Sequence, residues 1–336
     1  MIFYKIKYLN HHKIINFIKL IFCYFLLKFG IKLRKIPAPY FLSIEPTNIC
    51  NLNCFACPSG SGDLTRKRGF LDLDLFKKII DNNKKNLICL ILHFQGEPLL
   101  NKNLPEMIEY AHKNNIYTMF STNAQLLNKN LEKIIDSKPD KIIISLDGVT
   151  QETYEKYRIG GNIDNVFKAL ESIKIAKRLR DERAKVYFCF PFSVFPFIEL
   201  QFLAFNHNLH EIKELKKIKE KYEIDKITIK TAQIYSYEQI NLLPRNKKYL
   251  RYKISENNFE IKNKLKNSCK RIIFGNVISW DGNVLSCCFD KDATFILGNI
   301  KNESLENIRN SEKNINFIKL IFNNRKEIDI CKNCME

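Results

Sequence analysis

Cys50, Cys54 and Cys57 stand in the order CxxxCxxC directly behind the hydrophobic run FLSIE of residues 41–45. Thiolates so closely spaced are metal ligands by type. A closed zinc site takes four protein ligands, and an iron–sulfur cube kept only for electron storage also takes four thiolates. Three leave one metal corner open, which is what a site keeps when a further molecule must bind there. A second set, Cys269, Cys287, Cys288, Cys331 and Cys334, lies towards the carboxyl end. The remaining thiols, Cys23, Cys89 and Cys189, sit in apolar runs and read as buried core residues.

These groups need a frame to hold them. From residue 40 onward short β-rich runs alternate with helical patterns, the signature of βα units and a parallel sheet. The spacing predicts strands at 41–45, 87–94, 116–121, 141–147, 185–192 and 226–231, with helices near 72–84, 103–114, 126–137, 164–182 and 210–223. Six units imply an open or partial barrel, and in such folds the working groups sit on loops at the carboxyl ends of strands. Residues 1–38 form a basic, amphipathic helical segment, 39–232 the barrel, 233–268 a polar linker with one helix, and 269–336 a second, small α+β unit. Asp281-Gly282 between two β-prone runs marks a hairpin there, and a helical stretch near 304–323 follows.

With the frame in place, CxxxCxxC at the end of the first strand resembles the radical S-adenosylmethionine (radical SAM) superfamily. That resemblance implies a partial (β/α)6 barrel and a [4Fe-4S] cluster on Cys50, Cys54 and Cys57, with SAM on its fourth iron. It also implies one-electron cleavage of SAM to a 5′-deoxyadenosyl radical, fed by a low-potential donor such as flavodoxin or ferredoxin. Further matches follow in order at later strand ends. QGEPLL resembles the GGEP element, which would bring Gly96, Glu97 and Pro98 to the SAM amino group, with Gln95 for the first glycine. STNAQLL resembles the TNG element, making Ser121, Thr122 and Asn123 neighbours of SAM, with Ala124 for the glycine. SLDG resembles the SxDG element, placing Ser145 and Asp147 near the ribose or the substrate. Singly these could be a strand end, a helix cap and a turn; together with the thiols they form a pattern. The residue before the third cysteine is Ala56 where the family carries a bulky one, leaving Phe55 or Phe70 to meet the adenine.

The second unit resembles the shortened SPASM, or twitch, domain of many radical SAM enzymes. By position Cys269, Cys287, Cys331 and Cys334 would hold one auxiliary [4Fe-4S] cluster, with Cys288 spare. Four cysteines alone do not separate zinc from iron–sulfur; the company of the first triplet favours iron. Metal-thiolate bonding, on the scale of the roughly 10–16 kcal/mol of structural zinc peptides, would also stabilise a unit this small.

A net charge of +19 is spread through a Lys/Asn/Ile-rich chain with no nucleic-acid-binding signature, so it reads as a solvated surface rather than a nucleic-acid partner. Clustered thiols without a cleavable signal point to a reduced, cytoplasmic address. Residues 13–35 are too short and too lysine-bearing to span a membrane. Two readings stand for them, with a polar stripe of His12, Asn16, Lys19 and Cys23: a helix packed on the protein's own body, or a peripheral membrane contact. His93 reads as a hydrogen-bonded neighbour of the second strand's loop and Asp290 as a conceivable general base; TRKRG, residues 65–69, reads as a solvated turn or, in the sharper alternative, as Arg66 or Arg68 gripping an acidic or phosphorylated substrate. About 40 residues precede the barrel, too few for the peptide-binding module of many peptide modifiers. The function expected at this point is oxidation of a small-molecule or carbohydrate alcohol; the alternatives are a peptide- or protein-modifying enzyme, and a non-enzymatic iron–sulfur or zinc protein.

Overall fold

Helix α1 (His11–Lys28) is capped by Asn10, whose side chain accepts from the Lys13 amide. The computed structural model describes residues 7–187 and 195–335 of the 336. Strand β1 (Phe41–Ile44) and a short turn, α2 (Pro58–Ser61), bracket the thiol loop. Helices and strands then alternate: α3 (Leu73–Asn83), β2 (Cys89–Ile91), α4 (Leu104–Lys113), β3 (Tyr117–Thr122), α5 (Leu127–Asp136), β4 (Lys141–Ser145), α6 (Gln151–Glu155), α7 (Ile163–Tyr187), β5 (Phe197–Ala204), α8 (Leu215–Lys221) and β6 (Lys226–Thr231).

The helices form where apolar residues recur every three or four positions behind a cap. In α3, Asp72 accepts from the Asp74 and Leu75 amides while Phe76, Ile79 and Ile80 go inward; α5 buries Leu127, Leu131, Ile134 and Ile135. These faces pack on Leu42, Leu90, Phe120, Ile142 and Leu200 from the strands, making one core between sheet and helices. Strands β1 to β6 lie parallel and in chain order. Because β1 pairs with β2 and β9 rather than with β6, the (β/α)6 barrel is partial.

The second unit continues the same sheet. After a separate hairpin, β7 (Tyr252–Ser255) and β8 (Asn258–Ile261), come α9 (Lys270–Phe274), β9 (Gly275–Ile278), β10 (Asn283–Leu285) and β11 (Ile296–Asn299). Strand β9 runs parallel to β1, with Phe41 opposite Gly275 and Ile44 opposite Ile278; β10 and β11 follow antiparallel. The Asp281-Gly282 turn joins β9 to β10, as its sequence implies. Helices α10 (Leu305–Asn310) and α11 (Glu312–Asn324) meet at Ser311, which caps the second, and α12 (Asp329–Lys332) carries Cys331, with Cys334 just beyond it.

Three elements depart from the sequence reading. The fifth strand is Phe197–Ala204, not 185–192: residues 185–187 continue α7, and 188–192, with Cys189, lie outside the described residues. Aromatic β-propensity made 185–192 attractive, but what places the strand is its register on β4 and Asp225, which accepts from the Ile198 amide at 2.7 Å. Residues 233–268 hold a short 3-10 turn and the β7–β8 hairpin rather than a helix in a linker. Helix α1 also splits its expected polar stripe: His12 and Lys19 are exposed, but Asn16 is buried beside Leu20, Cys23 and Leu27. Asn16 Nδ2 donates to Ala38 O at 2.8 Å and Lys13 Nζ to Asn115 O at 2.7 Å, so exposed loop carbonyls draw the polar residues inward.

Candidate active site

The three thiols lie on the loop leaving the carboxyl end of β1. Asn48 fixes its start, donating to Lys67 O at 2.8 Å and accepting from the Gly69 amide at 3.0 Å. Cys57 N donates to Cys54 O at 3.1 Å, and Ser61 N to Cys57 O at 2.8 Å, so the last two thiols ride on consecutive tight turns. Cys54 is buried, Cys50 and Cys57 partly so. Burial and the neighbouring thiols push Cys54 up to about 12, against the pull of Arg158; burial likewise raises Cys50. The thiols are neighbours without meeting: among the described residues no three His, Cys, Asp or Glu side chains converge on a single ion.

The exits of β2 and β3 close around this loop. Gly96, at φ +72°, presses on it so tightly that a Cβ would stand 2.6 Å from both the Thr47 and Ile49 carbonyl oxygens. Its amide donates to Ser59 Oγ at 3.0 Å, and the Glu97 amide to Ile49 O at 2.8 Å. Glu97 is buried, and its carboxylate accepts from Thr122 Oγ1 at 2.7 Å, the Asn123 amide at 2.7 Å and the Leu99 amide at 3.1 Å. Its side chain thus ties the two exits together. Asn123 Nδ2 donates to Asn51 Oδ1 at 2.8 Å and lies 3.9 Å from Cys50 Sγ. Ala124 takes φ +62°, the left-handed conformation that suits glycine, which accounts for the element it replaces. Ser121 and Ser145 are half-buried at the ends of β3 and β4.

Beyond β4 the structure adds a residue the sequence reading missed. Asp147 is buried and pairs with Arg158, whose Nε and Nη2 both lie 2.6 Å from Asp147 Oδ2. Asp147 Oδ1 also accepts from the Leu203 amide at 2.7 Å. The Arg158 guanidinium reaches on to Cys54 Sγ at 4.0 Å, setting a fixed positive charge against the most buried thiol of the triplet. The only trace of it in sequence is an arginine in the loop after SLDG.

In the second unit a small cavity is lined by Cys269, Cys287, Cys331 and Cys334 together with Arg325 and Ser286. Arg325, buried, donates from Nη2 to Cys334 Sγ at 3.2 Å and from Nη1 to Ser268 O at 2.6 Å. Ser286 Oγ is buried with no hydrogen-bond partner among the described residues. Burial lifts the Cys269 and Cys331 thiols, and Cys287 rises through its contact with Cys288 and burial. Cys288 faces Arg271 at 3.1 Å instead of the cavity lining.

A family model described as the radical SAM superfamily matches residues 44–189, and one for an iron–sulfur cluster-binding domain, SPASM, matches 269–335. The chain is a radical SAM protein with a SPASM domain. Among curated relatives it is 34% identical over 145 residues to a probable GTP 3′,8-cyclase of Methanococcus maripaludis, covering 43% of this chain and 46% of that one. It is 31% identical over 144 residues to the mycofactocin maturase MftC of Mycobacterium tuberculosis, covering 43% and 36%. These matches therefore span less than half the length of the relatives. Its fold is similar to Streptococcus suis SuiB bound to S-adenosylmethionine, at TM-score 0.61 and 16% identity over 88% of this chain and 72% of that one. It is also similar to BtrN in complex with AdoMet and 2-DOIA, at TM-score 0.50 and 19% identity over 90% and 94%.

A radical SAM protein takes a [4Fe-4S] cluster and SAM, and a SPASM domain takes auxiliary iron–sulfur chemistry. The donor sets fit. Buried thiols that raise one another's pKa are poor free thiolates, and coordination to iron supplies the positive charge that offsets them. Arg158 and Arg325 each bring a guanidinium to one set, and the unpartnered Ser286 hydroxyl lies in the lining of the second.

Two candidates beside the site find other work in this radical SAM protein, and the third, His93, leaves its ring Nδ1 unpartnered among the described residues. Arg66 is locked to the buried carboxylate of Glu45 in a fork, Nη1 to Oε2 at 2.9 Å and Nη2 to Oε1 at 2.7 Å, and donates to Lys291 O at 2.7 Å, so it clamps the two units rather than gripping substrate. Asp290 spends both oxygens on Thr294 and Phe295, at 2.7 to 2.9 Å, and is a turn-former, not a base. Burial holds the His93 imidazole down to about 4. Phe55 and Phe70 remain exposed beside the thiol loop, while Cys23 and Cys89 are buried as expected.

Proposed function

We propose that this radical SAM enzyme modifies a peptide, holding its SAM-binding cluster on Cys50, Cys54 and Cys57 and its auxiliary cluster on Cys269, Cys287, Cys331 and Cys334. The observation that carries the chemistry is the convergence of four strand exits on one thiol triplet, with Cys54 buried and Cys50 and Cys57 partly so. When bound, the cluster and SAM supply a one-electron cleavage whose 5′-deoxyadenosyl radical abstracts hydrogen from substrate. The protein's own part is positional. The Gly96–Pro98 backbone, Ser121, Thr122, Asn123 and Ser145 line the SAM side; Glu97 and Asp147 hold that lining in shape through the contacts described above. Arg158 keeps a cation against Cys54 and restrains its negative charge.

The substrate class rests on two supports. The mycofactocin maturase is a sequence relative, and among the structures of similar fold is SuiB bound to precursor peptide SuiA, at TM-score 0.60 and 16% identity. The barrel also offers a place for an extended chain: β6 pairs only with β5 among the described strands, leaving a sheet edge. The stretch after β6, Ala232 and Ile234, packs with Cys54 and Ala56, so a peptide strand added along that edge would run to the triplet. A low-potential one-electron donor and, through residues 13–35, a membrane surface complete the partners.

A second reading, oxidation of a small alcohol, draws on the near-complete mutual coverage with BtrN only for a small-molecule ligand, since that structure is in complex with AdoMet and 2-DOIA. Anaerobic incubation with SAM and dithionite should yield 5′-deoxyadenosine from the native chain and none from Cys50→Ala; no product from the native chain would sink the enzymatic reading. Adding small peptides encoded beside the gene should raise that yield and change peptide mass. A rise with small polyols only would replace the peptide by an alcohol.

A further inference from the structure

Helix α1 packs Leu20, Cys23 and Leu27 inward yet leaves a second apolar face uncovered. Lys13 and Asn16 are buried, while Ile14, Ile15, Ile18, Ile21, Phe22, Phe25 and Phe29 are exposed, Phe22 at 64% and Phe29 at 78%. Their spacing places them on one side of the helix, a continuous apolar stripe facing away from the protein. Isolated exposed apolar residues need no explanation, but a stripe four turns long does. Residues 11–35 contain no Asp or Glu and carry Lys19, Lys28, Lys32 and Arg34 in exposed positions.

A second observation adjoins the first. The largest cavity described, about 1020 Å³, opens beside α1 between that helix, the barrel and the second unit. Its walls include the rings of Phe17, Tyr24, Tyr40 and Phe274, and its lining includes Lys28, Lys266, Lys270 and Arg271 with no acidic residue. Apolar walls with a cationic, acid-free rim suit a molecule with a hydrocarbon body and a phosphate head.

We propose that α1 and this cavity dock the protein on an anionic phospholipid surface, the apolar stripe entering the acyl boundary and phosphate headgroups settling among the cavity cations. The charge pattern selects this occupant. A second copy seated face to face would bring the cationic cavity rims of both copies together, which is unfavourable. A nucleic-acid backbone would match the cations but leave the apolar stripe in water. No helix among the described residues is long and apolar enough to cross a membrane, so the contact is a surface one. Phe41 and Cys89, at the amino ends of β1 and β2, also line the cavity, so docking leaves the thiol triplet at the barrel's far end.

The test is flotation of the full chain with vesicles of phosphatidylcholine alone and of phosphatidylcholine with phosphatidylglycerol. The native chain should float with the second and remain behind with the first. Ile18→Glu/Phe22→Glu, two exposed positions, should lower binding at least about tenfold, since each exchanges buried apolar contact for a charge repelled by the surface. That variant should keep the native melting temperature and native formation of 5′-deoxyadenosine. Lys28→Glu/Lys266→Glu should lose the preference for phosphatidylglycerol. Failure of the native chain to float with either vesicle overturns the proposal, as does undiminished flotation of Ile18→Glu/Phe22→Glu. A native dimer that this variant converts to monomer, without flotation, would show that a second copy covers the stripe and would overturn it equally.

Discussion

Replacing Arg158 by methionine separates a positioning ion pair from an ordinary surface contact. Asp147 is 1% exposed at its side chain and Arg158 14%, with two nitrogens within 2.6 Å of one carboxylate oxygen. Removing one partner of such a pair leaves an uncompensated buried charge and costs about 3–5 kcal/mol, where an exposed pair costs at most about 1. Against a total stability of roughly 5–15 kcal/mol this is a large fraction, and at about 2 °C per kcal/mol it should lower the melting temperature by roughly 6–10 °C. Asp147→Asn should cost a similar amount by stranding the guanidinium. The double variant Arg158→Met/Asp147→Asn, with neither charge, should melt higher than either single variant, giving a coupling of more than about 2 kcal/mol in the cycle. Iron retained after anaerobic gel filtration reads the second role. Arg158→Met should lose iron because the cation 4.0 Å from Cys54 Sγ is gone, and Asp147→Asn should retain it. Additive melting shifts together with equal iron in both single variants would refute the reasoning.

Gly96→Ala should cost at least about 1–3 kcal/mol from its backbone conformation alone, since φ is +72° and the Cβ would meet two carbonyl oxygens at 2.6 Å; calorimetric melting and equilibrium SAM binding should both report the loss. His93 is held at about 4 when folded against about 6.5 unfolded, so between these values only the unfolded chain takes the proton. Stability from this group is intact above about pH 6.5 and falls as the pH drops towards 4, by up to roughly 3 kcal/mol; urea midpoints across that range should flatten in His93→Gln. Arg66→Met should cost about 3–5 kcal/mol by stranding Glu45, whereas Arg68→Met, exposed and reaching Ser59 O at 3.5 Å, should stay within about 0.5; equal melting temperatures would remove Arg66 from the clamp.

What sequence makes legible here is what is local. CxxxCxxC, the glycine of QGEP and the Asp281-Gly282 turn act within a few residues of chain, and helices α3 to α5 declare themselves by period, so the barrel and its strand-end loops could be read in order. Long-range partners leave no such trace. Arg158 acts on Cys54, Arg325 on Cys334 and Arg66 on Glu45, and nothing around an arginine tells which distant carboxylate or thiol it will meet. The burial of Lys13 and Asn16 in α1 is hidden for a related reason: their partners are the distant carbonyls of Asn115 and Ala38. The misplaced fifth strand shows the same limit, because an aromatic-rich run looks extended whether or not a neighbouring strand stands ready to receive it.

The ladder between β1 and β9 turns two sets of thiols into fixed points on one ruler. Cys50 follows β1 by six residues and Cys269 precedes β9 by six, so the gap between the two sets is spanned by backbone hydrogen bonds instead of a hinge. An electron passing from one end to the other would meet the same separation in every turnover, and the carboxyl-terminal unit cannot swing aside to admit a guest. Severing the chain after residue 268 would strip β1 of that neighbour and leave a raw strand edge, so the shortened barrel should aggregate rather than survive as a simpler enzyme.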